Sequence, residues 1–184
     1  MGKVILFIAC SIDGFIAKPD GNLDWLNSVP NPDNIDHGYS DLMKNTSCIV
    51  MGRKTYTDIL GFGIEWPYIG YITYVLSNDK SFKTETPDTK IINGDIAGVV
   101  DQIKASEKKD IWLAGGGQTV TYFLNRDLVD RMTISVIPVI LGDGIPLFPG
   151  KTKESAWTLK ENIAYPTGII SLIYEKINPD SQAN

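Results

Sequence analysis

Ile111-Trp112-Leu113-Ala114-Gly115-Gly116-Gly117-Gln118-Thr119 is the stretch on which the reading of this 184-residue sequence turns. Four apolar residues running into three glycines read as a buried strand that stops at a tight turn. Ordered glycine costs backbone entropy, so three in succession point to unusual backbone angles or to the close approach of another group. An apolar-periodic segment over 117–125 follows at once. A helix starting there leaves its first N–H groups without intrahelical partners, facing whatever lies beyond the strand end. A plain tight turn accounts for the same residues. The spacing is not the dinucleotide fingerprint, because G-x-G-x-x-G needs glycine at 120 and Val120 stands there. Nor does a Lys follow the glycines, as a Walker A loop requires.

Two other strand ends share this character, and open α/β sheets bind ligands at the carboxyl ends of their strands. Ile49-Val50-Met51 runs into Gly52-Arg53-Lys54-Thr55. In the first turn of a helix Arg53 and Lys54 oppose the macrodipole by about 0.3–1 kcal/mol each, and an anionic ligand would remove the conflict. Two solvated surface cations are the alternative. Tyr74-Val75-Leu76 leads to Ser77-Asn78-Asp79-Lys80, whose short polar side chains suit a ribose or phosphate oxygen and suit any turn equally.

Composition limits the function classes. The chain is 43% hydrophobic and 21% charged, a globular balance that excludes wholesale disorder and collagen-like architecture. Its 17 Lys+Arg against 22 Asp+Glu give a net charge of −5. Nucleic acid and anionic membrane surfaces both need a Lys/Arg field, so neither is expected as a main partner. Cys10 and Cys48 lie in apolar runs and read as buried thiols of a reducing compartment. A single histidine, His37, argues against a His-based zinc site, and no metal is expected. Lys3 followed by Val4 to Cys10 resembles a signal segment, but the run is short and continues into Ser11-Ile12-Asp13-Gly14. It reads as a strand buried on both faces. No run approaches the ~20 apolar residues of a membrane helix, so the expected location is cytoplasmic.

Strands are predicted at 3–10, 48–52, 72–77, 89–92, 110–114, 131–137, 156–163 and 168–176, and helices at 36–46, 54–60, 95–107 and 117–125. The third helix is the clearest: Ile96, Val99, Val100 and Ile103 recur at helical spacing behind Asp95 as N-cap. The alternation of strands and helices predicts an α/β sheet with parallel strands, and Tyr165-Pro166-Thr167-Gly168 predicts an antiparallel hairpin at its end. Residues 1–177 read as one domain, with 178–184 as a polar tail.

Met51 to Tyr56, Val75-Leu76-Ser77 and Ala114 to Gln118 resemble, in order and spacing, the cofactor segments of the dihydrofolate reductase superfamily. Ser11 to Ala17 and Pro138 to Phe148 are more similar to its other branch, the reductase domain of bacterial riboflavin-biosynthesis deaminase-reductases. The likeness covers about residues 3 to 176. It implies a three-layer sandwich around a mixed eight-stranded sheet, mostly parallel with an antiparallel C-terminal hairpin, flanked by about four helices. It also implies an NADPH-dependent reductase and, from the riboflavin branch, a homodimer for whose contact Trp157 and Tyr174 are candidates, with a core role for both as the favoured alternative. By position, Arg53, Lys54 and Ser77, with Gly52, Leu76 and Asn78 beside them, would hold the 2′-phosphate end of NADPH. Thr55 and the run Gly115, Gly116, Gly117, Gln118 and Thr119 would face the pyrophosphate, and Ala9 and Ile16 the nicotinamide. A cis peptide would fall at Gly115-Gly116.

The same resemblance puts Asp36, sixteen residues before Gly52, where dihydrofolate reductases carry a catalytic carboxylate. Such an acid orients a pterin-like ring and helps protonate it, directly or through water; capping of a helix beginning at 36 is the alternative. Trp25 and Tyr39 are candidate walls for a flat heterocycle, Trp25 equally a core residue. His37, one residue from Asp36, is expected to point off that face. Tyr71 replaces the arginine that folate reductases use for the glutamate tail. Phe15 replaces a basic residue of the riboflavin branch, and no H-x-E or P-C-x-x-C of a zinc deaminase occurs. The expected function is reduction of a C=N or C=O group in a small heterocycle or ribosylated pyrimidine, on the pattern of 5-amino-6-(5-phosphoribosylamino)uracil reductase. The alternatives are dihydrofolate reductase activity on a pterin and a non-catalytic nucleotide-binding relative.

Overall fold

The computed structural model describes residues 1–177, so the predicted polar tail 178–184 lies outside the described residues. An eight-stranded sheet forms the middle layer, in spatial order β5-β4-β3-β6-β1-β7-β10-β9. Its strands are β1 (Val4–Ser11), β3 (Thr46–Gly52), β4 (Ile72–Leu76), β5 (Thr89–Ile92), β6 (Asp110–Gly115), β7 (Arg131–Ile137), β9 (Trp157–Ala164) and β10 (Ile170–Lys176). Six run parallel, and β10 and β9 are antiparallel to the strands beside them, as predicted.

Alternation along β1 and β3 assigns the two faces. Val4 and Leu6, with Cys48 and Val50, pack against Val100 and Ile103 of α3 (Ile96–Ser106) and Val120 and Phe123 of α4 (Gly117–Leu124). Ile49 and Met51 face the other way, onto Tyr56 of α2 (Arg53–Leu60) and Leu42 and Met43 of α1 (Tyr39–Asn45). Both sides of the central strands are therefore covered, which is why they read as unbroken apolar runs. Val120 and Phe123 have no exposed surface, and burying such side chains contributes about 1.5–3 kcal/mol each. Asp95 caps α3 as expected, accepting a 3.0 Å hydrogen bond from the Gly98 N–H.

The structure departs from the sequence reading at three places. A separate two-stranded sheet joins β2 (Phe15–Ala17) to β8 (Ile145–Pro146), and strands of three and two residues are too short to show periodicity. A 3-10 turn at Asp24–Asn27 escaped for the same reason. Helix α1 begins at Tyr39 rather than 36, because His37 (φ 52°) and Gly38 (φ 89°) adopt left-handed backbone. Trp157 and Tyr174 pack against the core on the α3/α4 side, and Trp157 Nε1 donates to Ser155 Oγ at 2.9 Å.

Cys10 and Cys48 are buried, and burial pushes both thiols up, Cys48 to about 11. The thiolate is the reactive form. Ellman's reagent at neutral pH should therefore release almost no chromophore from the native protein and two equivalents after denaturation; rapid native labelling of Cys48 would contradict this burial. No helix among the described residues is long and apolar enough to cross a membrane.

Candidate active site

The carboxyl ends of β4, β3 and β6 lie side by side. Gly52 is in register with Leu76, and Met51 with Gly115. The chain leaves β3 directly into α2 and leaves β6 through the glycine turn into α4, so two helix starts meet at one point. Their approach leaves little room for side chains. A Cβ on Gly52 would sit 2.5 Å from Thr119 Oγ1, and one on Gly116 would lie 3.1 Å from Thr55 Oγ1. A Cβ on Gly117 would meet the Pro146 carbonyl at 2.6 Å. The Gly115-Gly116 peptide is cis and Gly115 has φ 108°. Thr55, Thr119 and the three glycines thus form one cradle, with Gln118 exposed at its edge. A Gly-Lys-Thr tripeptide does occur elsewhere, at 150–152, but no helix follows it and it forms no phosphate loop.

The cations of α2 flank this cradle, and each already has a partner. Arg53 pairs with Asp79 at 2.9 Å and lies over the Phe82 ring, 5.8 Å from its centre. Lys54 pairs with Asp58 one turn on, also at 2.9 Å. Ser77 is buried at the end of β4, its Oγ accepting from the Asp79 N–H at 3.2 Å, while Asn78 is exposed. Hydrogen bonds from Ser81, aided by Arg53, hold the Asp79 carboxyl below the usual carboxylate range.

Beside the cradle, where β1 passes between β6 and β7, opens a cleft of about 470 Å³. Phe7 and Ala9 of β1, Ser135 and Ile137 of β7, and Ile169 form its walls, with Asp36, His37 and Thr167 at its rim and Leu26, Asn27, Val29 and Asn31 on the facing loop. Glycine turn and cleft are neighbours through β1, which lies beside β6 in the sheet and lends Phe7 and Ala9 to the cleft wall. Ile16, on β2, is not among the cleft's lining residues.

Asp36 faces this cleft and caps α1 at once. Its carboxylate accepts from the Ser40 N–H at 2.9 Å and from the Gly38 N–H at 3.1 Å. Hydrogen bonding from Ser40, then from Gly38, lowers its pKa below the ordinary carboxylate range. Asp36 is therefore ionised at neutral pH, suited to orienting a donor and unsuited to supplying a proton itself.

His37 corrects the sequence reading: it lines the same cleft instead of pointing away. The helical spacing behind that expectation fails because 36–38 precede the helix. Its Nε2 lies 3.0 Å from Thr167 Oγ1, and its ring stands edge-on to Tyr165 at 4.8 Å. Neither aromatic candidate is among the lining residues. Trp25 is buried with Ile137 and Ile169 beneath the cleft, its Nε1 without a partner, so the core reading fits it. Tyr39 packs edge-on against Trp112 at 5.8 Å. Tyr71 donates to the Met43 carbonyl at 3.2 Å, fastening α1 to β4, and Phe15 pairs with Pro146 in the small sheet.

Asn27, Asn31, Ser135 and Thr167 escaped the sequence reading. Asn31 spends its amide on Ile35, donating to its carbonyl at 2.8 Å and accepting from its N–H at 2.9 Å. Ser135 Oγ shares a 2.8 Å hydrogen bond with Ser171 Oγ. Asp13, just past the carboxyl end of β1, ties that end to the 141–142 segment, accepting from Ser11 Oγ and from the Leu141 and Gly142 N–H groups.

Parallel sheet, antiparallel tail, glycine cradle and adjoining cleft define a reductase-type α/β fold. The profile of the RibD C-terminal domain matches residues 72–171, and the chain belongs to that family. The YwjB protein of Bacillus subtilis (strain 168) is 36% identical over 159 residues, covering 86% of this chain and 89% of YwjB. A solved structure from Shewanella sp. PV-4, named for riboflavin biosynthesis, superposes with a TM-score of 0.86 at 34% identity over 96% of this chain and 99% of that one. Dihydrofolate reductase from Enterococcus faecalis, solved with NADP(H), has a TM-score of 0.71 at 16% identity over 96% and 98% of the two chains, a likeness of fold.

Proposed function

We propose that the protein is an NADPH-dependent reductase that transfers hydride to a C=N or C=O group of a small heterocycle. The observation that carries this reading is the convergence of Gly52, Ser77 and the Gly115–Gly117 turn at one sheet end, immediately beside a cleft holding an ionised carboxylate. The cradle fits a dinucleotide diphosphate: a Cβ at Gly52 or Gly116 would fill it, and the free N–H groups of two helix starts point into it. Gly116, Gly117, Gln118, Thr119 and Thr55 would hold the pyrophosphate, and Ala9 would serve the nicotinamide end. Arg53, Lys54 and Ser77 would take the 2′-phosphate, in exchange for the Asp79 carboxylate that now pairs with Arg53. Bound there, NADPH supplies hydride.

The chain's own residues do the remainder. Phe7, Ile137 and Ile169 exclude water around the reacting ring. Asp36 accepts a hydrogen bond from a ring N–H and offsets the positive charge that grows as the neighbouring nitrogen is protonated. Hydride adds to carbon, the π pair moves to nitrogen or oxygen, and a proton from water at the cleft mouth completes the reduction.

Comparing NADPH and NADH affinities in wild type and Arg53→Ala tests the cofactor assignment. Hydrogen bonds to charged groups contribute about 1.5–3 kcal/mol, so the preference for NADPH should fall at least about tenfold. An unchanged ratio rules the assignment out. Turnover is sought with pterins, pyrimidinones and dicarbonyls; oxidation of NADPH that never exceeds the no-enzyme rate would favour a non-catalytic nucleotide binder.

A further inference from the structure

Resting on the reductase reading, we infer that the molecule reduced is a compact ring without phosphate or any other anionic group. Among the described residues lining the cleft there is no lysine or arginine. Its polar side chains are those of Asn27, Asn31, Asp36, His37, Ser135 and Thr167, and Asp36 is the one carboxylate. The asparagine at 31 and the serine at 135 are already hydrogen-bonded within the protein. What remains for a ligand is an amide, a hydroxyl-imidazole pair and an ionised acid, a set whose one fixed charge is negative and so favours N–H donors over anions. Phosphate recognition uses Arg, Lys or a row of backbone N–H groups, and this wall has no such cation.

A longer substrate gains nothing by reaching further along the sheet. Beyond Phe7 a second groove of about 410 Å³ continues over β1, β7 and β10. Its single cation, Arg131, is bound to Glu175 at 2.8 Å, and Asp41 and Asp110 line the same groove. Arg53 and Lys54, the cations nearest the glycine cradle, are absent from both linings. Neither lining, among the described residues, offers an unpaired cation to a phosphorylated tail, and Phe15 and Tyr71 are committed to the scaffold.

Calorimetric titration at about pH 8 tests this with three ring probes and two anionic counterparts. The ring probes are 2,4-diaminopyrimidine, cytidine and 6-hydroxymethylpterin; the counterparts are cytidine 5′-monophosphate and folate. Each neutral member should bind at least about tenfold more tightly than its anionic counterpart, and Asn27→Arg should narrow that gap. Equal affinities, a preference for the anionic member, or no binding of any ring probe overturns the inference. A protein that keeps the ring preference and fails to bind NADPH would overturn the reductase reading and leave standing only that the cleft takes uncharged rings.

Discussion

Gly116→Val is expected to lower NADPH affinity at least about 100-fold, a loss of about 2.7 kcal/mol, while the melting temperature moves only a few degrees. The reason is local. A Cβ at 116 lies 3.1 Å from Thr55 Oγ1, closer than ordinary van der Waals contact, and the two methyl groups beyond it occupy the space between the starts of α2 and α4. The backbone at 116 (φ −70°, ψ −171°) suits any residue. The fold therefore tolerates the side chain better than the ligand would. A small adjustment at Thr55 of about 1 kcal/mol corresponds to about 2–4 °C in a domain of this size. Fluorescence titration with NADPH and a thermal melt on the same sample separate the two effects. Undiminished affinity with an intact melt would mean that the cradle does not hold the diphosphate; collapse of the melt would mean that the glycine serves packing alone.

The framework was legible because its signals are local. Ile49-Val50-Met51 and Ile111 to Leu113 are buried on both faces, and such strands need an unbroken apolar run. The periodicity of Ile96 to Ile103 located α3, and Asp95 marked its start within one residue. The cleft was less legible because it is assembled from distant segments. Phe7, Ser135 and Thr167 are brought together only by the pairing of β1 with β7 and β7 with β10. Asn27 and Asn31 lie in a stretch without periodicity, where asparagine is ordinary turn material. His37 was misread because a helix was extended through it, whereas left-handed backbone at 37 and 38 turns its ring into the cleft. No pattern of apolar residues announces such a reversal; Gly38 was its one visible sign.

Asp36 caps α1 and, in the proposed mechanism, also assists reduction, and Asp36→Asn separates the two roles. Asparagine keeps one oxygen able to accept from Ser40 or Gly38, so the start of α1 retains part of its anchoring. Losing the rest should weaken the cap and lower the melting temperature slightly. The carboxylate's depressed pKa also fixes a sign: its stabilising contribution is complete above the ordinary aspartate pKa and is lost as pH falls through the lower folded value. The acid limb of the wild-type melt should therefore flatten in the variant. Catalysis should suffer far more. With no negative charge to balance the protonating ring, turnover of any accepted heterocycle should drop about 100-fold, within the range of acid–base contributions. Binding of 2,4-diaminopyrimidine should weaken at least about tenfold. Affinity for NADPH should stay within about twofold of wild type, because the glycine cradle lies across β1 from Asp36. Parallel losses in NADPH binding, melting temperature and turnover would instead make Asp36 a helix cap alone, and the charge that assists reduction would then have to come from elsewhere in the cleft, where His37 is the only other ionisable side chain among the described lining residues.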